Sequence, residues 1–172
     1  DCIGASVGVY KIARSLNKEA YIVTDTKFSS STKLVVNKLK ELDSYKNVFV
    51  TKDDIKKNDY ASSLLVIVDT HKKSYLAYPD LLESIEKKVV IDHHRRGPEF
   101  IDDALLTYHE IYASSSSELV TEILMYLDNI ELSSVEAEAI YSGIVVDTKN
   151  FTFKTGVRTF EVAAYLKKYG LD

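Results

Sequence analysis

Val89-Val90-Ile91-Asp92-His93-His94 reads as a β-strand that runs straight into one carboxylate and two imidazoles. Its apolar residues are consecutive rather than alternating, the pattern of a strand covered on both faces in a parallel sheet. Val66-Ile67-Val68-Asp69-Thr70-His71, 23 residues upstream, repeats the arrangement. A third apolar stretch, Ile144-Val145-Val146, leads into Asp147-Thr148, and its acid is grouped with the other two as a strand-end carboxylate. Carboxylates gathered at one sheet edge repel one another and lose hydration unless a cation neutralises them. Three such acids, with a His-His pair beside one of them, point to a metal site.

Helical and strand-like segments alternate around these stretches. Residues 3–16 read as a helix whose small Gly4, Ala5, Ser6 and Gly8 permit close packing at its start. A short β-branched run at 20–24 is followed by polar residues 25–32, and then by an amphipathic helix over 33–42 with Leu34, Val35, Leu39 and Leu42 on one face. Strands are expected at 47–51, 64–68, 88–91 and 104–108, with a helix over 79–87 that starts at Pro79. Ser114 to Ser117 read as a loop and cap before a helix running to about Leu127. Ser133-Ser134-Val135-Glu136 resembles a capping box opening a helix toward Val146, and a last helix over 157–169 ends at Gly170. The fold class is therefore α/β, a mostly parallel β-sheet flanked by helices on both faces. In such sheets ligands collect beyond the carboxyl ends of the strands, where these acids lie.

The 172 residues suit one domain, and 45% hydrophobic with 28% charged residues is ordinary globular composition. No apolar run approaches the roughly 20 residues that span a bilayer, so no direct membrane contact by this domain is expected. A net charge of −4 provides no general basic field for long nucleic acid. The single cysteine, Cys2, excludes an internal disulfide. Asp1-Cys2-Ile3-Gly4 carries neither an initiator Met nor a signal-peptide pattern, and reads as a chain cut into.

Oxygen-rich ligands with one or two imidazoles and no thiolate suit Mn²⁺, Mg²⁺ or Fe²⁺ better than structural zinc. Several carboxylates converging on one point hold two ions about 3.5–4 Å apart, a pair that activates a bridging hydroxide for in-line displacement at phosphorus. Each residue taken singly has a plainer reading. A lone strand-end Asp caps a turn, His71 is a polar loop residue, Arg95-Arg96 are a solvated pair, and Ser114 to Ser117 cap a helix. His93-His94 directly after a buried strand favours the site, and puts Arg95 where a phosphate would lie.

At Asp92-His93-His94 the sequence resembles the DHH phosphoesterase superfamily. Asp69-Thr70-His71 looks like its preceding acidic motif, Ser142-Gly143-Ile144-Val145-Val146-Asp147-Thr148 like its last one, and Asp1 like the final aspartate of an opening His-x-x-x-Asp-x-Asp. Asp92 to Gly97, Tyr112 to Glu122, Asp147 to Phe151 and Gly156 to Leu166 are similar to GdpP-type cyclic-di-AMP phosphodiesterases. That resemblance implies opening of cyclic-di-AMP to linear pApA through a binuclear centre with Mn²⁺. It implies Asp69 bridging two ions, Asp1, His93 and Asp147 completing the ligand set of one, and His94 beside the scissile phosphate. Asp92 would orient the histidine pair, while Arg95, Ser115 and Ser116 would contact phosphate. It further implies a cytoplasmic domain in a parent anchored in the bacterial cell membrane, a possible homodimer through that parent. The opening His and first Asp of the family motif would precede Asp1, and a DHH-associated domain would follow residue 172. Little activity is expected of these residues alone. A DHH-type oligoribonuclease or 3′-phosphoadenosine 5′-phosphate phosphatase is the nearest alternative, with pyrophosphatase and exopolyphosphatase further off. A non-catalytic nucleotide-sensing domain is the alternative of a different class.

Overall fold

Both apolar runs form strands, and they lie side by side in a parallel sheet. The computed structural model describes residues 1–25 and 27–171. Thr26, inside the expected polar segment, and Asp172 lie outside the described residues. The elements run α1 (Cys2–Ser15), β1 (Ile22–Val23), α2 (Ser30–Lys40), β2 (Phe49–Val50), β3 (Leu64–Val68), α3 (Leu81–Ser84), β4 (Lys87–Asp92), β5 (Leu106–His109), α4 (Ser116–Met125), α5 (Ser134–Asp147) and α6 (Val157–Lys167). β3, β4 and β5 make one parallel sheet in that order, with Val66 opposite Val89 and Ile91 opposite Tyr108. β1 and β2 pair separately, also in parallel.

Side chains of a strand alternate between its faces, and here both faces are covered. Val66, Val68, Val89 and Ile91 pack against Ala5 of α1 and Leu119 and Val120 of α4. Ile67 and Val90 pack the other way, against Leu82 of α3 and Ile101. This double coverage is why the strands read as unbroken apolar runs. A larger cluster joins α1, α5 and α6 through Val7, Tyr10, Ile140, Ile144, Val162 and Leu166. No helix among the described residues is long and apolar enough to cross a membrane.

Two expectations need correction. Asp147 does not end a strand. Ile144 to Asp147 form the last turn of α5, whose start is set by Ser133 and Glu136 exchanging hydrogen bonds as a capping box. That helical register carries through to Thr148, whose N–H donates to the Ile144 carbonyl. The helix expected over 79–87 shrinks to α3, because Lys87 and Lys88 pair in register with Leu64 and Leu65 and draw the chain into β4. Elsewhere the expected elements form with ends shifted by a few residues, and Gly170 takes φ +78° just beyond α6.

Candidate metal centre

Four elements each bring one acid or imidazole to the carboxyl edge of the larger sheet. Asp69 follows β3 in the left-handed region, at φ +64°, a conformation Asp tolerates better than bulkier residues. Its N–H still donates to the Ile91 carbonyl at 3.0 Å, so the ladder to β4 continues through the turn. His93 follows β4 directly. Its Nε2 lies 3.0 Å from Asp147 Oδ2, 3.6 Å from Asp69 Oδ1 and 3.7 Å from Asp1 Oδ2. One ligand atom from each of Asp1, Asp69, His93 and Asp147 lies within 4.8 Å of the others.

Asp1 is held by the start of α4. The N–H groups of Ser116 and Ser117 donate to its two carboxylate oxygens at 2.6 and 2.9 Å, and the Ser117 hydroxyl adds a third bond at 2.5 Å. A helix amino terminus favours such an anion. α5 passes close by at Gly143, where a Cβ would stand 2.2 Å from Ser117 Oγ and 2.9 Å from Asp1 Oδ1. Only glycine leaves room for the helix there.

His93 is buried, and neither ring nitrogen meets a partner in hydrogen-bond geometry, which among the described residues is true of no other buried side-chain atom. Burial opposes a charge on that ring, but the Asp147 and Asp69 carboxylates outweigh it and push its pKa up to about 9. Burial likewise opposes the Asp147 carboxylate, yet His93 beside it holds that carboxyl below its ordinary range. Three carboxylates around an imidazole with unused lone-pair capacity fit a divalent cation of the Mn²⁺ or Mg²⁺ kind, with the imidazole leaving Fe²⁺ or Zn²⁺ chemically admissible.

Asp92 stands behind this cluster, fully buried. Its Oδ1 lies 2.7 Å from His94 Nδ1 and its Oδ2 2.5 Å from His71 Nδ1. Burial works against its charge, but these histidines prevail and lower its pKa. Asp92 thus grips His94 and His71 rather than the expected pair His93 and His94. The His94 side chain is 54% exposed, and its Nδ1 is 4.0 Å from Asp69 Oδ1. His109 Nε2, at 2.5 Å, holds the His94 carbonyl.

Arg95 is exposed next to His94. Ser115 and Ser116 are fully buried. The Ser115 hydroxyl caps α4 by accepting the Glu118 N–H at 2.9 Å, and Ser116 spends its N–H on Asp1 with its hydroxyl 3.5 Å from Asp69 Oδ1. The sequence did not reveal that Ser117 holds Asp1, that α5 comes close at Gly143, or that His71 meets Asp92. The signal for His71 was its place after a second apolar strand ending in Asp.

The model of the DHH family, N-terminal domain, matches residues 1–144. Over the whole chain, 45% of residues are identical to the cyclic-di-AMP phosphodiesterase GdpP of Bacillus subtilis, and 45% to the cyclic-di-AMP phosphodiesterase PdeA of Listeria monocytogenes. The chain spans 26% of the length of each. An exopolyphosphatase-related protein from Bacteroides fragilis superposes with a TM-score of 0.78 at 24% identity, covering 100% of this chain and 50% of that one. That likeness speaks for the fold alone.

Proposed function

The chain belongs to the DHH family, and on that premise we propose that it carries the metal-dependent centre of a phosphodiesterase opening cyclic-di-AMP to linear pApA. The observation that carries this reading is the convergence of Asp1, Asp69, His93 and Asp147 on one point around an imidazole without hydrogen-bond partners. Full-length similarity to two cyclic-di-AMP phosphodiesterases supports the choice of substrate.

Asp1, His93 and Asp147 would hold one Mn²⁺, with Asp69 shared between it and a second ion. Divalent metal bound there supplies Lewis acidity and a water acidic enough to attack phosphorus near neutral pH. The chain's own groups do the rest. Ser116 and Ser117 fix Asp1 before any ion arrives. As the imidazolium, with Nδ1–H held on Asp92, His94 would give its Nε2 proton to the 3′-oxygen as the bond from that oxygen to phosphorus breaks, leaving the 5′-phosphate on pApA. Asp92 holds His94 by Nδ1 and leaves Nε2 as the ring atom open to substrate. Arg95 adds positive charge beside the phosphate. Membrane anchoring and pairing of the parent protein belong to the same proposal.

Turnover of cyclic-di-AMP, short RNA and pyrophosphate should be compared in parallel, with Mn²⁺ and the full-length protein. Cyclic-di-AMP is expected to be hydrolysed fastest. Short RNA cleaved far faster than the cyclic compound would overturn the assignment.

A further inference from the structure

Resting on the reading of His94 as the group beside the phosphate, we infer that His71 is a positioning residue for it. His71 locks the Asp92 carboxylate, and Asp92 in turn keeps His94 in one tautomer and one orientation. The Gly97 N–H donates to His71 Nε2 at 3.0 Å, so the ring lone pair lies at Nε2 and the ring proton at Nδ1. That proton points to Asp92 Oδ2, 2.5 Å away. The other oxygen of Asp92 receives His94 Nδ1 at 2.7 Å. One carboxylate therefore bridges a donor with a fixed tautomer and a donor at the site.

Burial gives the bridge its direction. His71 is 1% exposed and Asp92 0%, whereas the His94 side chain is 54% exposed. A half-exposed imidazole is thus tied to an enclosed frame. The frame is braced further by the chain that wraps it. Ile101 N–H donates to the His71 carbonyl, the His71 ring lies 5.2 Å from Phe100, and Arg96 covers the Phe100 ring at 3.9 Å. His109, 5.4 Å from His71 ring to ring, holds the His94 carbonyl as well. Both nitrogens of His71 are already engaged, so it stands outside the ligand cluster. Without it, one oxygen of a buried carboxylate would lose its partner and Asp92 could rotate away from His94.

Two polar variants of similar size separate positioning from packing. His71→Asn keeps an N–H near the place of Nδ1, whereas His71→Gln carries its amide out toward Nε2. Long-range ¹H–¹⁵N correlation spectra of the metal-free protein, at a pH where an ordinary imidazole is neutral, report the His94 tautomer independently of turnover. Wild type and His71→Asn are expected to show His94 protonated at Nδ1, with His71→Gln shifting it toward Nε2. With Mn²⁺ and cyclic-di-AMP, His71→Gln should lower kcat on the order of 10–100-fold and leave KM and Mn²⁺ affinity within about threefold. His71→Asn should recover most of that loss. An unchanged His94 spectrum in His71→Gln, or equal losses in both variants, overturns the inference. So does a wild-type His71 found protonated at Nε2, which needs no variant to fold. If the His94 spectra behave as expected but the full-length wild type turns over no cyclic-di-AMP, the functional reading fails and the positioning role stands.

Discussion

His93 concentrates the chemistry of a single residue in this protein. Its pKa, raised to about 9 by neighbouring carboxylates, lies above the ordinary imidazole value near 6.5. Its contribution to stability is therefore complete below about pH 6.5 and disappears as pH rises through about 9. Metal-free protein should lose on the order of 1–3 kcal/mol of unfolding free energy across that window, seen in urea melts, and His93→Gln should flatten the slope. A metal ligand must be neutral, so Mn²⁺ binding at pH 7.5 should release about one proton. Calorimetry in buffers of different ionisation enthalpy measures that release, and none detected would remove His93 from the ligand set. Asp69→Asn keeps a residue that tolerates positive φ while deleting the charge. It should lower Mn²⁺ affinity at least about tenfold with the melting temperature of the metal-free protein preserved. At this scale the sequence singled out Asp69, Asp92, His93, His94 and Asp147, because acids and imidazoles directly after apolar runs stand out. The His71–Asp92 contact was not legible, since it joins residues 21 apart whose meeting depends on β3 and β4 pairing in register.

Among the elements, α5 shows two local patterns in conflict. Ile144-Val145-Val146 has the β-branched character of a strand, yet the capping box at Ser133 and Glu136 committed the chain to helix before reaching it. Tertiary packing supplied the rest, burying Ile144 in the α1–α5–α6 cluster while Val146 stays exposed. The outcome for the site is small, because the end of a helix delivers Asp147 to the same point. The closeness of that delivery rests on Gly143. Gly143→Ala should destabilise the protein by about 1–3 kcal/mol in chemical denaturation, as overpacking does. It should also weaken Mn²⁺ binding, because the new methyl meets Ser117 Oγ and Asp1 Oδ1. Ser115→Ala tests the cap of α4, the helix whose first N–H groups hold Asp1. Loss of the α4 cap should cost about 1 kcal/mol, with the effect read from the same denaturation curves.

For the whole molecule, the α/β class and the parallel order of strands followed from segment alternation, whereas the split into two sheets did not. Strands as short as β1 and β2 leave too little pattern to say which neighbours they join. The candidate centre ties together the start of α1, the ends of β3 and β4, and the end of α5. An ion there should staple the fold. Mn²⁺ at about 100 times its dissociation constant should add about 2.7 kcal/mol, a rise of roughly 5–10 °C in melting temperature for a chain of this size. Differential scanning calorimetry should show that rise in the wild type and not in Asp69→Asn.

The division into two sheets has a practical side. Every proposed ligand sits around β3, β4 and the helices against them, and the β1–β2 pair supplies none. Asp53, exposed in the turn after β2, is consequently a natural graft point for a fluorophore or affinity tag. A reporter mounted there could follow the protein in living cells while the candidate centre keeps its native surroundings.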